Sequence, residues 1–253
     1  MFLARERVGG GPDARFDIEW AVTDRFGSAV GGTNPFTLGG RHPAHAEVIA
    51  ANRAELAREL GLSPSGLRFM RQVHGCDVAI VHGPSRDVAD DPTCDAMVTS
   101  DPSIALAVLV ADCTPILLWD AAAGWVGAVH AGRAGFVGGA VASCVTRLRG
   151  DGANDLHALV GPSICGRCYE VPAKMREQAS TVQRSAYAMS WTGTPAIDVA
   201  AGVIAQLRDL TVPVCWLPGC TRESDELFSH RANAHAGRFA AVVRLHQRGE
   251  AKR

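Results

Sequence analysis

The chain has 253 residues, enough for one large domain, and its 47% hydrophobic and 20% charged content excludes wholesale disorder. Lys and Arg total 25 against 26 acidic residues, so no basic surplus argues for a nucleic-acid or membrane-surface partner. The longest clearly apolar run, 104–111, is too short to span a bilayer, and charges at Arg5, Glu6 and Arg7 interrupt any signal-peptide segment. A cytoplasmic protein is expected. Its eight cysteines then read as thiols or metal ligands rather than a disulfide framework.

Residues 1–15, Gly-rich and charged, read as a loosely ordered lead-in. A first strand is predicted over 16–22, a long Gly/Pro/Asn loop over 27–42, and a helix over 43–60. Two strands, 67–73 and 77–81, are expected to join tightly around His74-Gly75. Further strands are predicted over 96–99, 104–110, 116–119 and 125–129. Their near-continuous apolar character implies burial on both faces. A helix over 137–149 places Val137, Val141, Cys144, Val145 and Leu148 on one face. A strand over 156–160, a helix over 198–210 with Asp198 as N-cap, and strands over 212–217 and 239–245 complete the chain. Strands outnumber helices and run consecutively, so the prediction is a single α+β catalytic domain over 1–253, mixed β-sheets flanked by helices, rather than a doubly wound sheet.

Three short stretches share a feature. His74 in RQVHG, Cys113 in VLVADCTP and His130 in GAVHAGRAG each follow an apolar strand. Taken singly, each has an ordinary reading as a hydrogen-bonded histidine or a packed thiol. Together, two imidazoles and a thiolate suit zinc, and three ligands leave a fourth tetrahedral position open, as in catalytic sites. Intervals of 39 and 17 residues mean that only a tertiary fold can assemble such a set at its strand ends.

Cys165 and Cys168 form a single CxxC in GPSICGRCYEVP, with no thioredoxin-like helix start after it. A structured loop lining the site, its thiols mostly inert, is the expectation. The stretch 220–238, rich in His and Arg, is either a solvated loop or a source of cations for an anion such as phosphate. His42, His45, His82, His157 and His246 lack a partner pattern.

QVHG, DAMVTSDPSIALAVLVADCTPILLWD, GAVHAGRAG, GPSICGRCYEV, CTRESDELFSHR and GRFAAVV, preceded by LGGRHPAHAEVIAANRAEL, occur in an order that resembles the laccase-domain family. That family is also called the purine nucleoside phosphorylase or multicopper polyphenol oxidase family, and includes the bacterial peptidoglycan editing factor. The resemblance runs from about Leu38 to about Leu245. It implies a single α+β domain and a zinc site on His74, Cys113 and His130. It also implies phosphorolysis of adenosine, inosine and S-methyl-5'-thioadenosine, with adenosine deamination as a side activity. The implied partners are small molecules, a nucleoside and phosphate, and the oligomeric state stays open. Asp112 becomes a candidate hydrogen-bond acceptor behind the ligands or a proton acceptor, and Arg133 and Arg231 become candidate phosphate contacts. Three positions depart from the family pattern: Arg133-Ala134 replaces Trp-Arg, Ala232 replaces an arginine, and Thr37 replaces an asparagine. Other readings are a zinc-dependent hydrolase editing muramoyl-amino acid precursors of the cell wall, and a non-catalytic, metal-stabilised protein. Copper is the less favoured metal, because one cysteine and two histidines make a single centre.

Overall fold

Alternation along the apolar strands decides the layering. In β6 (Ala105–Val110), Leu106, Val108 and Val110 enter a central core, while Ala105 and Ala107 enter another on the opposite face. In β7 (Thr114–Asp120), Leu117 and Trp119 join that same central core and Ile116 and Leu118 face away from it. Side chains alternate with period two, so a strand apolar at every position must be covered on both sides. The computed structural model, which describes residues 1–11, 14–27, 35–40, 46–85 and 90–248, meets that demand with two stacked sheets and helices on both outer faces.

One sheet has five strands in the order β1 (Phe2–Val8), β2 (Phe16–Thr23), β13 (Phe239–Gln247), β6 and β3 (Leu67–Arg68). It is antiparallel except where β3 runs parallel to β6. The other has six, in the order β12 (Val214–Trp216), β9 (His157–Val160), β7, β8 (Trp125–Ala131), β5 (Ala96–Thr99) and β4 (Val78–Ile80). Its two edge strands pair in parallel and the rest antiparallel. Helix α1 (Ala46–Glu59) buries Leu56 and Ala57 on the outside of the first sheet. Helices α2 (Arg133–Gly138), α3 (Ala140–Gly150) and α5 (Val199–Asp209) cover the second. Helix α4 (Ala173–Val182) packs on a hairpin of β10 (Tyr187–Met189) and β11 (Pro195–Ile197). The chain is thus a mixed α+β domain with burial on both strand faces. Among the described residues no helix is long and apolar enough to cross a membrane.

Several expectations need correction. Residues 2–8 are not a loose lead-in. They form β1, paired with β2 and tied to it by Arg5–Glu19 and Arg7–Asp17 ion pairs. The single helix expected over 137–149 is two, α2 and α3, because Gly139 adopts φ +90°, a left-handed conformation that ends one helix and starts the next. The expected face of α3 is as read: Val141, Cys144, Val145 and Leu148 are buried. Strands β3 and β4 do not form a hairpin around His74. They belong to different sheets, and the chain between them passes from one layer to the other. Asp198 caps α5 as expected, its Oδ1 accepting the Ala201 N–H at 2.8 Å. Helix α4 and the β10–β11 hairpin were not anticipated, since residues 173–197 carry weak apolar periodicity. Most of the loop expected over 27–42, with His42 and His45, lies outside the described residues.

Candidate metal centre

Two passages of the chain between the sheets build the centre. The first, from β3 to β4, carries His74. The second, from β6 in one sheet to β7 in the other, carries Cys113. His130 is the last residue but one of β8. Its even-numbered position in that strand turns it toward the interface between the sheets, like Val126 and Ala128. The three ligand atoms all lie within 4.8 Å of one another. His74 Nε2 stands 3.8 Å from Cys113 Sγ, and the imidazoles meet edge to face with centroids 4.8 Å apart.

Asp95, immediately before β5, organises the centre, a role the sequence reading does not assign it. Its carboxylate is fully buried and accepts the backbone N–H groups of Val73, His74 and Gly75 at 3.1, 2.9 and 2.6 Å. It also faces His130 Nδ1 at 2.8 Å. One carboxylate therefore fixes the backbone of the first ligand and the ring of the third. That ring bond directs Nε2 of His130 toward Cys113, the orientation that ligating histidines normally receive from an outer carboxylate. Asp95 betrays itself in sequence only as an acid followed directly by the apolar residues Ala96, Met97 and Val98, where an unpaired charge could not be buried.

The backbone is strained where it serves the site. His74 has φ +61° and Asp112 φ +92°, conformations that cost non-glycine residues roughly 1–3 kcal/mol. The hydrogen bonds to Asp95 hold His74 there. Asp112 is held by its own side chain: Oδ1 accepts the hydroxyls of Thr221 and Ser229 at 2.7 Å each, and Oδ2 accepts the Arg231 N–H at 2.6 Å. Its carboxylate thus anchors the 220–231 loop against the turn that carries Cys113.

The residues fit a metal ion. The donor set is two imidazoles and a thiol, and the space between them exists because residue 132 is glycine. A Cβ there would come within 2.8 Å of His74 Cδ2 and 3.0 Å of Cys113 Sγ. Burial alone would raise the Cys113 pKa, but hydrogen bonds and positive charge from His130 and His74 outweigh it and set the thiol at about 6. Burial likewise disfavours the charged His130, but Asp95 and the Cys113 sulfur raise it to about 9. Cys113 is therefore a thiolate at neutral pH, the form that binds metal. In metal-stripped protein, alkylation of the Cys113 peptide by iodoacetamide is expected to rise with pH through a midpoint near 6. A midpoint in the ordinary cysteine range, near 8.5, would remove the thiolate from this account.

The centre opens into a cleft of about 1360 Å³. Arg71, Arg133, Arg231 and Arg238 line it, and Asp112 is the one carboxylate lining it among the described residues. Arg133 is the first residue of α2, and Arg231 lies over the ring of Tyr169 at 5.2 Å, donating to the Glu170 carbonyl at 3.2 Å. His230 and His235 complete that wall, so part of the stretch 220–238 faces the centre. Thr37 is buried outside the cleft lining, its Oγ1 accepting the Arg238 N–H at 3.0 Å. The CxxC sulfurs are drawn away from the centre into a group with Cys220 and Glu223. His157 stacks on Trp119 and His246 pairs with Glu19, consistent with structural duties.

A two-layered α+β domain with a two-histidine, one-cysteine centre at the crossings between its sheets defines the class. The chain belongs to the multi-copper polyphenol oxidoreductase laccase family, whose family model matches residues 19–246. It is similar to a purine nucleoside phosphorylase of Streptomyces griseus, 46% identical over 231 residues that cover 89% of this chain and 94% of the relative. A purine nucleoside phosphorylase of Streptomyces coelicolor is 45% identical over 231 residues, covering 89% and 95%. Among solved structures, YlmD of Geobacillus stearothermophilus superposes with a TM-score of 0.78 at 26% identity, covering 95% of each chain. The hypothetical protein YfiH of Bacillus licheniformis shares the fold, with a TM-score of 0.81 at 22% identity over 93% of this chain and 98% of its own.

Proposed function

We propose that this chain is a zinc-dependent purine nucleoside phosphorylase acting on adenosine, inosine and S-methyl-5'-thioadenosine, with adenosine deamination as a side activity at the same centre. The observation that carries the reading is the convergence of His74, Cys113 and His130 at the floor of an arginine-lined cleft. The names of relatives aligned along most of their length support the reaction class.

His74, Cys113 and His130 would hold the zinc, which when bound supplies Lewis acidity. Asp95 keeps the His130 ring turned so that one nitrogen faces the ligand group. Of the two roles considered for Asp112, its three hydrogen bonds favour positioning: it sets the 220–231 loop, and with it Arg231, at a defined distance from the centre. Arg133 and Arg231 hold phosphate and offset its charge as it approaches the anomeric carbon, a reaction that depends on placement of two partners more than on covalent participation by the protein. Among the described residues, four arginines against a single, already bonded carboxylate make the cleft favourable for an anion. The half-buried Tyr169 ring offers a flat apolar wall for a base.

Metal-loaded protein incubated with inosine and phosphate is expected to release hypoxanthine and ribose 1-phosphate, followed by chromatography. Absence of base release from every purine nucleoside tried, with zinc content verified, would overturn the assignment.

A further inference from the structure

We propose that Cys165, Cys168 and Cys220 hold a second, structural divalent cation of the zinc class, with Glu223 as the fourth ligand. This inference is independent of the reaction assigned above. Their ligand atoms lie within 4.8 Å of one another. Sulfurs around a tetrahedral zinc with bonds near 2.3 Å stand about 3.8 Å apart, so a small contraction of the group completes the geometry.

The ligands come in two close pairs, Cys-x-x-Cys and Cys-x-x-Glu, the spacing of structural rather than catalytic zinc sites. Each pair sits on a tight turn. The Cys165 carbonyl accepts the N–H groups of Cys168 and Tyr169 at 3.0 Å, and the Cys220 carbonyl accepts those of Glu223 and Ser224 at 3.2 and 3.0 Å. A parallel bridge between Ser163 and Cys220 locks the turns side by side, through Ser163 N–H to Gly219 O and Thr221 N–H to Ser163 O, each 3.2 Å. The Cys165 N–H donates to Cys220 Sγ at 3.5 Å, tying the two turns together.

The surroundings are built around this group. A Cβ on Gly166, between the first two cysteines, would meet Ala188 Cβ and Asp198 Cβ at 2.9 Å each, so the turn is pressed against the hairpin and the cap of α5. Trp191 Nε1 donates to Glu223 Oε1 at 3.2 Å and leaves Oε2 facing Cys165 Sγ at 4.0 Å. All the cysteines are free thiols, so no disulfide accounts for the cluster. Three sulfurs and a carboxylate oxygen gathered in one group match the donor set of a structural zinc site. The cation's effect on the cleft is indirect: it staples the turn leading into Tyr169 to the loop that carries Thr221, Ser229 and Arg231.

Metal analysis of the full chain, purified from zinc-supplemented cells without chelator, tests the proposal without any substrate. Two zinc ions per chain are expected in the parent and one in Cys113→Ala. One is also expected in the double variant Cys165→Ser/Cys220→Ser. Cobalt loaded into Cys113→Ala should give the intense near-ultraviolet thiolate charge-transfer band of a cysteine-rich tetrahedral site. A single zinc in the parent that vanishes in Cys113→Ala overturns the proposal. So does a Cys165–Cys168 disulfide found by peptide mapping. Because the parent and Cys113→Ala proteins keep all four proposed ligands, the result does not depend on the double variant folding.

Discussion

Replacing Cys113 by alanine is expected to remove the metal of the cleft and the release of base while the fold survives. The thiol lies on a turn between the two sheets and is only partly buried, packed at the margin of the central core. Its loss should lower metal-free stability by only about 1 kcal/mol, a shift of roughly 2–4 °C in Tm for a domain of this size. The kinetic loss should be far larger. Removing several kcal/mol of charge stabilisation slows turnover by roughly a thousandfold. Phosphorolysis assays beside calorimetry in chelator separate the two effects. Base release that persists in metal-free Cys113→Ala protein would show that the chemistry does not run through this centre, whereas collapse of the fold would assign the cluster a structural duty.

Asp95→Asn is expected to damage both the centre and the fold. The carboxylate is fully buried and serves three backbone N–H groups and the His130 ring at once. An amide presents a donor where one of those partners also donates. A buried donor is then left unmatched, at a cost of about 2–4 kcal/mol. Outer carboxylates behind a ligating histidine are worth about 10–100-fold in metal affinity, so competition with a chromophoric chelator should show a loss of that size. The pH dependence has a definite sign. Burial raises the Asp95 pKa, but the bonds from His130, Gly75 and Val73 outweigh it and hold the group below the ordinary carboxylate range. Its contribution to stability is therefore fully present above the unfolded value of about 4 and is lost as pH falls through the lower folded value. Denaturant midpoints of parent and variant should differ widely near pH 7 and draw together progressively as pH falls below about 4. An unchanged gap across that range would mean that Asp95 is not ionised in the fold.

These variants also mark what could be read from the chain itself. Local chemistry determined the apolar strands with burial on both faces, the apolar face of α3, the Asp198 cap and the identity of His74, Cys113 and His130 as a candidate ligand set. Period-two patterning and capping depend on neighbours a few residues away, so the sequence carries them directly.

Which strands are partners, by contrast, was decided by the tertiary structure. The β3–β4 hairpin read from adjacency does not exist, because each of the two strands pairs in parallel with a strand of a different sheet. The N-terminal strand β1 is polar enough to pass for a loose tail and becomes a strand because β2 pairs with its backbone, the central core takes up Leu3, Ala4 and Val8, and Glu19 and Asp17 on β2 accept its arginines. Asp95, Asp112, Thr221 and Ser229 act through hydrogen bonds to residues up to 119 positions away, and Cys220 meets the CxxC from 55 positions away. A side chain's role at such distances follows from where the fold places its partner. Hydrogen-bond and ligand geometry are short-ranged in space, and only packing of the two sheets brings those segments within that range.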